Sequence, residues 1–169
     1  MKRAYILERY KDIHNDGWPV LRTVYTIRMV GEAETQYEKF LKREEYRAPQ
    51  FLETFNRILR QLATMVNTTG FLRTAVREED GYDALPMGKG HIRLLVIRWT
   101  TRTIILGNGG FKFTRTHQES EDLNPHRILI KEVSKLLLEY IEEHNLTEGE
   151  CGGFFNEDAH ICDPIILEA

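Results

Sequence analysis

The fold turns on HIRLLVIRWTTRTIILGNGGFKFTRTHQ, residues 91–118. Two aliphatic runs, IRLLVIR and TIIL, flank a short TTR turn. Branched aliphatics at that density read as strands, the first of them a central one. GNGG then breaks the second strand, and FKFTRT resumes as an extended segment. The stretch also poses a question of charge. Residues 84–118 contain no Asp or Glu over 35 positions, yet they hold Lys89, Arg93, Arg98, Arg102, Lys112 and Arg115. The whole chain carries −3, so the remainder sums to −9. Strands hold few acids, which accounts for part of this. Buried Lys and Arg are rare without partners, however, so six cations in one acid-free run point to a bound anion.

Working outward, the elements follow a clear order. AYILERYKDI and WPVLRTVYTIRMVG read as two extended runs around an HNDG turn, although YILERYKDI suits a short helix equally well. Residues 32–46 read as a helix, with acids at its start and Lys42 and Arg43 near its end, as the helix dipole favours. A second helix opens at Pro49 and stops before Gly70. Its Phe51, Phe55, Ile58, Leu59, Leu62 and Val66 recur at helical spacing, which requires one buried face. FLRTAVRE is a short strand candidate and EDGYDALPMGKG a loop. Downstream, Asn124 can cap a last helix that begins at Pro125 and ends near Asn145, burying Leu129, Val133, Leu136, Leu137 and Tyr140. The expected architecture is α+β: an N-terminal strand, a helical hairpin, an antiparallel β-meander and a C-terminal helix, with the helices covering one sheet face. Residues 1–145 form one domain, with 1–22 an N-terminal extension and 146–169 a C-terminal extension that the pattern does not place.

Composition sets further bounds. At 41% hydrophobic and 29% charged, the 169-residue chain matches an ordinary globular domain. No apolar run approaches a membrane span, and charges interrupt the segment after the basic start, so neither a membrane segment nor a signal peptide is expected and the location is cytoplasmic by default. Cys151 and Cys162 are too few for a disulfide scaffold. With His160 they lie close in sequence, but their spacing matches no standard zinc site, and no metal or other cofactor is expected.

Residues 22–145 resemble the RelE/HigB/ParE superfamily of bacterial toxins. Its members carry an Arg-plus-apolar strand, a short turn, an aliphatic strand ending in a glycine-aromatic pair, and then a KKTxKT run. IRLLVIRW is similar to the first element and RTIILGNGGFKFTRT to the rest. The resemblance implies metal-independent cleavage of RNA, often ribosome-bound mRNA, by attack of the ribose 2′-OH on the neighbouring phosphate. It also implies an antitoxin partner, of helix-turn-helix type in some cases, and allows a homodimer. Carried over residue by residue, Arg93 binds phosphate and Lys112 stabilises charge. His117, with a pKa suited to proton transfer, is the acid or base, and Glu119 is a further base candidate. Arg115, Lys89 and Arg98 are candidate phosphate ligands. The second lysine of the family run is Phe113 here, and the chain is acidic where many members are basic. Both departures favour an alternative in which the fold binds a partner protein, as the gyrase-directed branch does, and cuts no RNA. On a regular strand Lys112 and Arg115 would face opposite ways, so a shared phosphate requires a bend, a bulge or an end between them.

Overall fold

The computed structural model of the protein describes residues 2–10 and 21–169; the turn expected at 14–17 lies outside them. Among the described residues nine strands form in chain order: β1 Ala4–Arg9, β2 Thr23–Met29, β3 Arg77–Glu78, β4 Asp83–Leu85, β5 Ile92–Arg98, β6 Thr103–Phe111, β7 Thr147–Glu148, β8 Phe154–Phe155 and β9 Ile165–Glu168. Three helices accompany them: α1 Gln36–Lys42, α2 Pro49–Thr64 and α3 Asn124–Glu143. Seven strands make one sheet in the order β3-β4-β5-β6-β2-β1-β9, and β7 and β8 pair separately. All neighbours in the large sheet run antiparallel except β2 and β6, which run parallel from Thr23 opposite Thr103.

The sheet lies between helices, and strand alternation shows why. Val24, Leu94, Val96, Ile104 and Leu106 face a core built with Phe40, Phe55, Ile58 and Leu62 of α1 and α2. Tyr25, Leu95, Ile97 and Ile105 face a second core with Ile130, Val133 and Leu137 of α3. Adjacent residues of β5 and β6 are thus buried on opposite faces, which is why both read as continuous aliphatic runs. The expectation that the helices share one face is corrected: α3 covers the other. Each fully buried Ile, Leu or Phe in these layers contributes about 1.5–3 kcal/mol.

Several local boundaries differ from the sequence reading. The first expected helix shortens to α1, because the Thr35 hydroxyl accepts from the Glu38 N–H and the Glu38 carboxylate returns a bond to the Thr35 N–H. A 3-10 turn over Glu44–Arg47 separates it from α2. Inside the expected loop 79–90, Asp83–Leu85 pairs as β4 between β3 and β5. GNGG does not break the second strand. β6 runs through it to Phe111, and residues 112–119 are loop rather than strand. Asn124 does not cap α3. The cap position is Leu123, whose N–H donates to Ser120 Oγ, and the Asn124 side chain instead accepts from Arg127 Nε.

The two segments read as additions join the same sheet. β1 pairs with β2 on one side and β9 on the other, burying Tyr5, Leu7, Ile165 and Leu167 against the α3 face. The β7–β8 hairpin is tied down by Glu148, whose carboxylate accepts from Thr100 Oγ1, Thr103 Oγ1 and Arg102 Nη2. Among the described residues no helix is long and apolar enough to cross a membrane.

Candidate functional site

Three elements deliver the polar residues to the α3 face of the sheet beside β5. The first is the β3–β4 hairpin, whose turn Glu79-Asp80-Gly81-Tyr82 closes with the Glu79 N–H donating to the Tyr82 carbonyl at 3.0 Å. Gly81 sits there at φ +80°, a left-handed conformation that glycine adopts without strain. The second is the start of β5, which supplies Arg93 on the same strand parity as Leu95 and Ile97. The third is the loop after β6, which supplies Lys112 and His117.

A bulge brings β5 and β6 together just past Arg93. Leu94 lies opposite Gly109 and Val96 opposite Leu106, so Gly107 and Asn108 together oppose Leu95. The strands approach so closely that a Cβ on Gly109 would lie 1.9 Å from the Arg93 carbonyl oxygen; one on Gly110 would meet the Asp122 carboxylate, 2.6 Å from Oδ2. Glycine is required here by backbone proximity, and a phosphate-cradling loop is not. Beyond the bulge the strand ends, which removes the constraint that would send Lys112 and Arg115 to opposite faces.

His117 anchors the site. It is 5% exposed, its Nδ1 lies 2.6 Å from the Tyr82 hydroxyl, and its Nε2 lies 3.6 Å from Glu79 Oε1. Burial pulls the His117 pKa down to about 4, and the charges of Lys112, Arg93, Arg127 and Arg77 push the same way. Burial raises the Glu79 pKa against the opposing pull of Lys112, Arg77 and Arg93. Burial also raises the Tyr82 pKa, with the Glu79 charge adding to it. Tyr82 therefore keeps its proton and His117 is neutral, and the direction of the hydrogen bond between the Tyr82 hydroxyl and Nδ1 follows the ring tautomer.

The cations have distinct settings. Arg93 is 6% exposed, and its Nη1 donates to the carbonyls of Gly90 at 2.7 Å and Ile92 at 2.9 Å. Both bonds come from Nη1, leaving Nε and Nη2 for a further acceptor. Burial, with Arg77 and Arg57 nearby, pulls its pKa down to about 10. The Lys112 ammonium donates to the carbonyls of Thr114 and Arg115 at 3.0 and 3.1 Å, which shapes the loop. Arg77 donates from Nε to the Pro86 carbonyl at 2.9 Å. Arg57 has Nε and Nη2 buried without a hydrogen-bond partner. Glu79 thus stands among several guanidinium and ammonium groups, an excess of positive charge in a partly desolvated place.

Arg93, Lys112 and His117, the three residues singled out for chemistry, are near enough that His117 feels the charge of both others. Lys89 and Arg115 are exposed on the neighbouring loops. Arg98 is not brought in. It ends β5, roughly 16 Å along the strand from Arg93, where its Nε donates to the Phe71 carbonyl at 2.5 Å and its N–H to Asp83. Glu119 is exposed on the loop. Glu79, Tyr82 and Arg77 were missed by sequence reasoning. The signal for them was the Asp-Gly pair in REEDGYD, which marks a hairpin returning Tyr82 beside Glu79. Among the described residues no group of three His, Cys, Asp or Glu side chains is placed to hold a metal ion.

Compared with known proteins, the chain matches no protein-family model, no curated protein and no solved structure.

Proposed function

We propose that the protein is a toxin-type endoribonuclease that cleaves RNA phosphodiesters through the ribose 2′-OH and is regulated by an antitoxin. The observation that carries this reading is the pair Glu79 and His117, 3.6 Å apart, within electrostatic reach of Arg93, Lys112 and Arg77, with positive charge in excess. Cleavage of this kind takes a proton from the 2′-OH, spreads negative charge over the phosphorus oxygens, and returns a proton to the departing 5′-oxygen. Arg93 and Arg77 offer planar donors for the phosphate. Attack and departure lie in line across phosphorus. Glu79 and His117, 3.6 Å apart, therefore serve the same proton transfer. Glu79, its pKa raised by burial, is the base in that pair, and His117 faces it with Nε2. The Lys112 ammonium stands for charge stabilisation and for the second proton.

The test is incubation of purified protein with single-stranded RNA in the presence of a chelator. Products ending in a 2′,3′-cyclic phosphate are expected, with no cut at a position carrying a 2′-deoxyribose. Arg93→Ala is expected to abolish cleavage, and Arg93→Lys keeps a charge where loss of the Nη1 bonds impairs folding. Intact RNA from folded wild-type protein, free or ribosome-bound, overturns the reading.

The burial of Arg93 and His117, at 6% and 5% exposure, favours a second reading. Both side chains already bond to the protein, as in a site that braces the fold. In that case the chain binds a partner protein and cuts no RNA, and Arg93→Ala alters stability alone.

A further inference from the structure

Next to this site stands a ring that the proposed chemistry does not use. Phe113 is 63% exposed, an unusual state for an aromatic side chain held by so many others. It stacks on Phe111 at 5.6 Å and 16°, meets Phe51 edge-on at 6.0 Å, and lies 4.8 Å from the His91 ring. The backbone fixes this arrangement: the Lys112 N–H donates to the His91 carbonyl at 2.5 Å, and His91 Nδ1 lies 3.2 Å from the Lys112 carbonyl. Phe113 is therefore oriented by its neighbours yet left uncovered. Lys112 of the candidate phosphate site adjoins it in sequence, and the exposed Arg115 follows two residues on.

Phe113 also borders an open depression of about 670 Å³, lined by Arg43, Phe111, Glu119, Glu121 and Asp122 among others. Arg43 is committed there. Its Nη1 donates to both oxygens of Asp122 at 2.9 and 2.8 Å, and its guanidinium lies over the Phe111 ring. With Asp122 bonded to Arg43 and to the Phe111 N–H, Glu119 and Glu121 leave the depression net negative, so it repels phosphate. It suits an uncharged group with amine donors, which a carboxylate accepts.

We infer that Phe113 is a stacking platform for one unpaired nucleobase of a bound single strand, with its edge toward Glu119 and Glu121, so that bases bearing an exocyclic amine are favoured. This rests on the RNA reading above and adds the base to the phosphate. Stacking on one aromatic side chain is sequence-tolerant, and the carboxylate edge supplies the preference.

The test separates binding from cleavage by using 2′-O-methyl octamers, which offer no attacking hydroxyl. Fluorescence anisotropy at low salt compares oligo-C, oligo-U and an abasic strand of equal length. Wild-type protein is expected to bind oligo-C more tightly than oligo-U, and both more tightly than the abasic strand. Phe113→Ala and Phe113→Leu are expected to lose roughly 5- to 100-fold on oligo-C, and nothing on the abasic strand, while Phe113→Trp retains affinity. Equal binding of oligo-C by wild type and Phe113→Ala overturns the platform, as does equal wild-type binding of base-bearing and abasic strands. Equal affinity for C and U overturns the carboxylate edge. Unchanged binding in Phe113→Ala with a lower sedimentation coefficient assigns the ring to self-association instead. Base-dependent binding without cleavage of natural RNA upholds the platform while the nuclease reading falls. Absence of binding to any strand overturns both.

Discussion

The Tyr82 hydroxyl meets Nδ1 of His117 at 2.6 Å inside the protein, and Nε2 of the same ring faces Glu79. The hydroxyl keeps its proton and bonds to that nitrogen, and burial holds the imidazole neutral. This has a consequence for stability. The folded pKa of His117 is about 4 against an ordinary 6.5, so between those values the unfolded chain binds the extra proton. Stability is expected to be full above pH 6.5, to fall as pH drops toward 4, and to level off below. The loss is at most on the order of 3 kcal/mol across that window. Glu79 acts in the opposite direction just above its ordinary pKa, because its folded pKa is raised. Urea unfolding at pH 7 and pH 5 measures the slope. His117→Gln, which can still bond to Tyr82 but does not titrate, is expected to flatten it, and an unchanged slope in that variant assigns the effect to other groups.

The β5–β6 contact yields a sharper expectation. Gly109→Ala places a methyl carbon where the Arg93 carbonyl oxygen lies 1.9 Å away, and the obstacle is backbone, which cannot swing aside. The strands must part at the bulge, at a cost of about 3 kcal/mol or more. Gly31→Ala is the control. Unlike Gly109 it carries φ near +90°, and nothing lies within 4 Å of the added carbon, so it is expected to lose only about 1 kcal/mol. Thermal melts of the two variants distinguish a steric cause from a conformational one.

What the sequence made legible depended on the range of each signal. β5 and α2 were readable because their aliphatic density and helical spacing are local and each element is long. The face covered by α3 was not, because a helix pattern reveals that one side is buried without naming the sheet face that buries it. β4 was hidden by its length: Asp83-Ala84-Leu85 is too short for alternation, and only pairing with Leu94, Leu95 and Val96 makes it a strand. The GNGG glycines looked like a break because glycine signals a turn as readily as a close approach. At the site, Arg93, Lys112 and His117 stood out by charge and chemistry within an acid-free run. Glu79 lay just outside that run, and its relation to His117 arises from tertiary pairing across the hairpin.

The terminal segments give a test of where the folding unit ends. Residues 146–169 read as an addition, yet β9 hydrogen-bonds to β1, and Ile165 and Leu167 are 0% and 2% exposed. A chain truncated after Asn145 loses both side chains from the α3-face core, roughly 1.5–3 kcal/mol each, and leaves β1 as an open edge. It also loses Glu148, the acceptor for Thr100, Thr103 and Arg102. The truncated chain is expected to be aggregated or to unfold without a cooperative transition, as judged by size-exclusion chromatography and circular dichroism. A soluble, cooperative 1–145 fragment would make the C-terminal segment a true extension.

The proposed division of labour between Glu79 and Lys112 is separable by pH. Glu79 acts as a base only when ionised, and burial raises its pKa, so cleavage is expected to decline as pH falls through that raised value. Glu79→Gln keeps the side-chain shape, removes the ionisation, and is expected to lower the rate about 10²- to 10⁴-fold with no remaining acid limb. Lys112→Met removes charge from the phosphate and is expected to lower the rate while leaving the acid limb in place, displaced upward because a cation that favours ionised Glu79 is gone. Affinity for an uncleavable strand is expected to survive Glu79→Gln and to weaken in Lys112→Met, since only the lysine neutralises phosphate. An acid limb unaltered in Glu79→Gln would transfer the base role to another group and leave Glu79 as a structural neighbour of His117.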